Sequence, residues 1–270
     1  MRQPQHPLAV LPLLVAVAFA CACARARAED SAIVTDRPDF VESAEVVGLG
    51  RFQIETGMQS ERDRSNGVTT RTLTTPTLLR LGVSESIELR AEGDGLTHER
   101  ATGADGATQR VHGFSDVSFG AKWRVREGDA GGMPGVAWLA DLDTPVGSKS
   151  LRGKGVRPAL RVTAEWELPH DFSIGVMPGV FLDRNDAGKR YAAGVLAVTL
   201  GKGLAHNLDA FVEVAGERLA AQRNGGSSVT FDTGLAWRVT DSLQLDLAFA
   251  HGLSSAAPDF QGGLGMSARF

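Results

Sequence analysis

The sequence predicts an all-β fold, a single antiparallel up-and-down transmembrane β-barrel of about twelve strands with both termini periplasmic. Three observations predict it. An apolar run near the N-terminus reads as an export signal, segments from residue 50 onward alternate apolar and polar residues with period two, and the charges stay on one of the two faces so produced.

The export signal comes first in the chain. Arg2 precedes an apolar run from Leu8 to Ala24, broken only by Pro12, and Ala26-Arg27-Ala28 then has the small-x-small form of a cleavage site. Cleavage is expected after Ala28. Residues 1–28 are thus read as a signal peptide, 29–49 as a short periplasmic segment and 50–270 as the barrel of a Gram-negative outer-membrane protein. The residues before Cys21 and Cys23 suit a lipoprotein acylation site poorly. Both cysteines fall inside the signal, so the mature chain holds no thiol for a disulfide or a metal although it is bound for an oxidising compartment. The sequence carries 28 Lys and Arg against 32 Asp and Glu; losing Arg2, Arg25 and Arg27 leaves 25 against 32, or −7, which gives no general attraction to nucleic acid. No run of 18 apolar residues follows the signal, so a transmembrane helix is not expected.

The strands follow in order. The first sets Phe52, Ile54, Thr56 and Met58 on one face and Gln53, Glu55 and Gln59 on the other. Alternating segments come next at 72–82, 86–95, 115–126, 135–144, 156–168, 172–183, 189–200, 208–219, 229–239, 243–252 and 262–270, twelve with the first. Tight joins are expected at 83–85, 169–171, 201–207 and 240–242, and longer polar loops at 60–71, 96–114 and 145–155. Short turns at one end and long loops at the other are the pattern of a membrane barrel; the glycine-rich join at 127–134 is long for its end. Pro76 and Pro178 fall within strands, where a missing N–H removes a ladder bond, so a count of ten or fourteen stays open.

Lipid demands an uncharged outer face. In the fourth strand Val117, Phe119, Ala121, Trp123 and Val125 oppose Ser118, Gly120, Lys122 and Arg124; in the sixth Leu160, Val162, Ala164, Trp166 and Leu168 oppose Arg161, Thr163, Glu165 and Glu167. The tenth behaves alike. Trp123, Trp166 and Trp237 each stand on the apolar face near the turn end of an even strand, as an interfacial aromatic girdle requires, although three core tryptophans of a soluble barrel would share the pattern. Phe270 ends an amphipathic strand on the face of Leu264, Met266 and Ala268, the form of signal that outer-membrane proteins present to the barrel assembly machinery.

Catalytic constellations are missing from the pattern, and no enzyme or cofactor is expected. His98 and His112 share one expected loop without a carboxylate or thiol set, which reads as polar loop more readily than as a metal site. A phospholipase would need Ser and His together on the lipid face; His251 has the right parity, but Ser254 and Ser255 lie in the following loop. The polar faces remain as the candidate site. Arg80, Glu88, Arg90, Glu92, Lys122, Arg124, Arg161, Glu165, Glu213, Asp232, Asp246 and Arg269 are expected to face the lumen, either lining a solute path or bracing the wall. Twelve strands are wide enough for a small-solute path. The polar segment from Thr35 to Ser43, with Asp36, Arg37 and Pro38, is too short for a plug domain; it either enters the barrel mouth and pairs with lumen charges or stays a tail.

Thr35-Asp36-Arg37-Pro38 with Glu42-Ser43, then the strand opening Gly50-Arg51-Phe52-Gln53-Ile54-Glu55-Thr56-Gly57, resembles the start of the outer-membrane transporter family linked to the meta pathway of phenol degradation. Gly113-Phe114-Ser115-Asp116-Val117 and Asp143-Thr144-Pro145-Val146-Gly147 resemble its later blocks, the last in place of a Leu-Pro-Thr-Gly-like turn. The resemblance implies a channel or transporter for small molecules, aromatic or hydrophobic compounds among them. Outer-membrane lipid, the assembly machinery and an unidentified solute are the expected partners. A non-conducting structural or binding barrel closed by its own ion pairs is the alternative, and a phospholipase-like enzyme a minor one.

Overall fold

The computed structural model describes residues 32–129, 132–185 and 187–270; the expected signal at 1–28, with its cleavage site and both cysteines, lies outside them. The strands are β1 (Phe52–Ser65), β2 (Val68–Thr74), β3 (Thr77–Gly82), β4 (Ile87–Gly93), β5 (Leu96–Thr102), β6 (Thr108–Phe114), β7 (Val117–Arg126) and β8 (Gly135–Thr144). They continue as β9 (Arg157–Leu168), β10 (Phe172–Arg184), β11 (Arg190–Ala205), β12 (Leu208–Leu219), β13 (Ser228–Thr240), β14 (Leu243–Gly252) and β15 (Phe260–Arg269). All are antiparallel, and β15 pairs back onto β1 from Gln53↔Arg269 to Arg62↔Phe260. Closure leaves the barrel wall without an edge. Phe52 and Phe270 exchange backbone hydrogen bonds of 3.1 and 2.7 Å at the seam.

Among the described residues fifteen segments make twelve staves, because β2–β3, β4–β5 and β6–β7 are each one strand interrupted near its middle. Pro76 causes the first break, standing between β2 and β3 where it owes no ladder bond. In the next stave the register sum rises by one between Thr77↔Gly93 and Thr74↔Thr97, the mark of one extra residue at Asp94-Gly95. Pro178 is tolerated inside β10: pairing with β11 runs unbroken there, while pairing with β9 lapses between Val176 and Gly179.

Two expected loops are corrected. The stretches 60–71 and 96–114 are mostly strand, since β1 runs to Ser65, β5 begins at Leu96 and β6 continues to Phe114. Beyond the bilayer both faces are wet, so the apolar alternation that marks a strand disappears although the ladder continues. Asn66 and Gly67, at φ 52° and 77°, form a two-residue turn of the kind for which Asn-Gly is preferred. On the other end β11 runs to Ala205, and its join is His206–Asn207 instead of 201–207.

Outside, Leu79, Leu81, Phe119, Leu160, Val198, Val212, Phe231 and Leu264 are exposed, whereas Arg80, Glu88, Lys122 and Glu55 are fully buried inside. An apolar exterior around an ionised interior is a fold turned to suit lipid. Trp123 and Trp237 are 53% and 47% exposed and Trp166 is half-buried; Trp138, paired with Trp123 across β7–β8, adds an indole not expected from the even strands.

Candidate channel lumen

Residues 32–50 run inside the barrel and fill the lumen toward the turn end. Gly50 N–H donates to Gly82 O of β3 (2.8 Å), but the residues between 34 and 47 belong to no strand ladder, so their N–H groups must be satisfied by side chains of the wall. Carboxylates do this. Glu55 accepts from the backbone N–H of Asp36 (3.0 Å) and Arg37 (3.1 Å), Glu213 from Phe40 and Val41 (2.8 Å each), Glu88 from Val47 (2.9 Å) and Glu165 from Ala44 (3.5 Å). In the other direction Lys122 donates to Ser43 O (2.9 Å), Thr163 Oγ1 to Glu42 O (2.5 Å) and Arg80 to Glu45 O (2.9 Å).

Asp36 is the hub. Its carboxylate lies 2.6 Å from Arg90, 2.8 Å from Lys122 and 3.3 Å from Arg80, all buried, and it also accepts from Ser43 N (3.1 Å). Burial alone would raise this acid; Arg80, Lys122 and Arg90 together outweigh burial and hold it far below the usual carboxylate range. Glu42 repeats the arrangement with Arg161 (2.7 Å) and Arg90 (2.6 Å), and burial opposed by these two guanidiniums leaves it lowered as well. Arg37 reaches Asp246 at 3.0 Å, and Glu45 pairs with Arg124. Opposite this charged wall Val41 packs on Met177, Ala197 and Ala215. Two glycines make room: a Cβ at Gly265 would sit 2.5 Å from Arg37 Nε, and one at Gly175 would sit 2.8 Å from Val41 Cγ1.

Ten of the twelve expected lumen residues touch this segment; Arg269 does so through Ala32 O at 3.4 Å. The other two stand above it. Glu92 faces Arg90 at 3.6 Å, and Asp232 accepts from Thr230 Oγ1 at 3.0 Å. A length too short for a domain is therefore long enough to fill the lumen, since an extended chain of this size spans about 60 Å. Glu55, Asp141 and Gln244 were missed. Their period-two parity was the available signal, Glu55 lying on the polar face of the first strand.

Above the segment a cavity of about 540 Å³ is floored by Asp36, Pro38, Asp39 and Phe40 and walled by β-strand residues toward the loop end. Eleven carboxylates and four arginines line it, with Leu78, Leu151 and Phe249 among the apolar groups. Asp39 projects into it; burial first, then the Glu213 carboxylate, pushes this acid well above its usual value.

The histidines and serines fall elsewhere. His98 and His112 lie on paired strands β5 and β6, not in a loop, with rings stacked at 6.2 Å. His251 Nδ1 contacts Asp259 O at 2.9 Å, while Ser254 Oγ donates to Ser227 O at 2.7 Å, so base and hydroxyl engage different partners.

The profile of the family described as "Putative MetA-pathway of phenol degradation" matches residues 35–270. No curated protein matches the chain. Among solved structures, an outer-membrane channel of Pseudomonas putida F1 is similar over 84% of this chain and 98% of its own, with a TM-score of 0.64 at 13% identity. The porin KdgM, solved with a disordered oligogalacturonate, covers 82% of this chain and 99% of its own, with a TM-score of 0.50 at 8% identity. These likenesses show the same fold, a closed antiparallel β-barrel.

Proposed function

The chain belongs to the MetA-pathway family of phenol degradation, and on that premise we propose that it is an outer-membrane channel for small molecules whose constriction is its own residues 32–50. One observation carries the reading. The lumen is filled at the turn end by a single extended segment tied only by hydrogen bonds, ion pairs and a small apolar contact, while an open cavity of about 540 Å³ stands above it. The ladder of the wall closes without help from the segment, because β15 returns to β1 and each stave meets two neighbours below the projecting sheet.

The solute class follows from the family and the lining. Phenol degradation points to small aromatic or hydrophobic compounds, and Phe40, Leu78 and Phe249 offer apolar contact among the carboxylates. The short turns and both termini are periplasmic in this reading, residues 1–28 are removed on export, and Phe270 with the last strand is presented to the assembly machinery.

Planar-bilayer recordings test the proposal. The full chain is expected to conduct weakly and intermittently, and a chain lacking residues 32–47 to give larger, steady steps. A folded deletion variant that conducts no more than the full chain, and neither passing phenol into liposomes, overturns it. The barrel would then be the non-conducting structural alternative that its ion-pair network also suits.

A further inference from the structure

Past the membrane band, β1, β2, β5 and β6 continue side by side as a four-stranded sheet. Its registers bring four arginines into one row: Arg62 opposite Arg71, Arg71 opposite Arg100, Arg100 opposite Arg110. Their parity is that of Met58, Leu73, Leu96 and Phe114, the exposed outer face. The next row toward the membrane is Ser60, Leu73, His98 and His112, and the next row away is Arg64, Thr69, Thr102 and Thr108. No carboxylate stands in any of these rows; Glu61, Asp63 and Glu99 have the opposite parity.

From this we propose that Arg62, Arg71, Arg100 and Arg110 bind the phosphate groups of a phosphorylated lipid of the outer leaflet. Like charges directly opposite on neighbouring strands repel, and here three such pairs follow one another with no counter-charge from the protein. An anion must supply it. Adjacent strands are about 4.8 Å apart, so the row spans roughly 14 Å, a headgroup's width. Its height points to lipid: past the single row of Ser60, Leu73, His98 and His112 stand the exposed Met58, Leu96 and Phe114, so a lipid with its chains on that band sets its headgroup at the level of the guanidiniums. Discouraging strand addition accounts for Arg110, since β6 has an open edge, but not for Arg71 and Arg100 on interior strands.

The inference rests on the orientation proposed above, which labelling at residue 104 reads separately. The folded full chain in neutral detergent is titrated with diphosphorylated lipid A and with its dephosphorylated form, bound lipid being counted by native mass spectrometry. The expected result is a preference for the phosphorylated lipid that falls about thirtyfold in the double variant Arg71→Gln/Arg100→Gln, near fivefold per arginine. The control Arg190→Gln/Arg223→Gln, which removes the same charge elsewhere on the surface, stays within twofold. Heat-modifiable gel mobility checks that each variant is folded. Equal binding of both lipids, an unaffected double variant, or displacement by inorganic phosphate at concentrations matching the lipid would overturn the proposal, the last by identifying a soluble anion.

Discussion

Asp36 decides whether the lumen is filled. Three buried cations converge on its carboxylate; without it Lys122 keeps Glu42 at 3.6 Å, and Arg80 and Arg90 each lose one of several carboxylate partners, and taking a partner from a buried ionic set costs about 3–5 kcal/mol. In Asp36→Asn that cost falls on the docked segment, because undocking returns Arg80, Arg90 and Lys122 to water while the barrel stays paired. Chymotrypsin is expected to cut after Phe40 at least a hundredfold faster in this variant, and bilayer conductance to rise; unchanged cleavage would show that Asp36 does not anchor the segment. Acid has a defined sign here. Asp36 and Glu42 are held below their ordinary values, so their contribution is present above about pH 4 and is lost only as pH falls through the depressed values. Asp39 runs the other way: its carboxyl is raised, so docking loses stability as pH climbs from the ordinary value near 4 toward the raised one. Cleavage after Phe40 is therefore expected to be slower at pH 5 than at pH 8, and Asp39→Asn to flatten that difference. A profile that Asp39→Asn leaves unaltered would assign the pH dependence elsewhere.

At the scale of the element, the segment and the staves are made for each other at close contacts. Gly265→Val places a branched side chain where Arg37 Nε and the Asp246 carboxylate meet, at the mid-height of β15. The expected outcome is a folded, heat-modifiable barrel in which the Arg37 end of the segment is released, read as faster chymotrypsin cleavage with little change in the unfolding midpoint; loss of the folded band would place Gly265 in the wall's own stability instead. How much of this was legible follows from what alternation records. Within the bilayer one face meets lipid and the other meets charge, so Phe119 against Lys122 or Leu160 against Arg161 marks both the strand and its orientation. Beyond the bilayer that contrast vanishes, and Arg62, Arg71, Arg100 and Arg110 read as polar loop although they sit in paired strands. The Asn66-Gly67 turn was the local signal that the first hairpin continued. Between entry into the barrel mouth and a tail the sequence left residues 35–43 undecided, because an extended segment without a periodic face gains its partners one by one from distant strands. The charges that receive it were legible, since ionised groups on the lumen parity require partners.

For the whole molecule, closure and an even stave count set both ends of the wall on one side, and the direction of that side in the membrane decides what the rest can do. The turn end carries the joins 169–171, 206–207 and 241–242, the seam at Phe52–Phe270 and the filled part of the lumen. The opposite end carries the open cavity, the longer joins and the projecting sheet with its arginine row. A periplasmic turn end gives solutes an open approach from outside and puts the segment between them and the cell; the reverse orientation would make the cavity a periplasmic one and set the arginines against inner-leaflet lipid. No cysteine follows residue 28, so single-cysteine variants are clean reporters of this choice. Ala104 is exposed in the 103–107 turn beyond β5, and His206 is exposed in the turn after β11. With a membrane-impermeant maleimide, Ala104→Cys is expected to label fully in intact cells and His206→Cys only after the outer membrane is permeabilised. Labelling of His206→Cys alone in intact cells would invert the barrel, and with it both the route proposed for the solute and the leaflet proposed for the lipid.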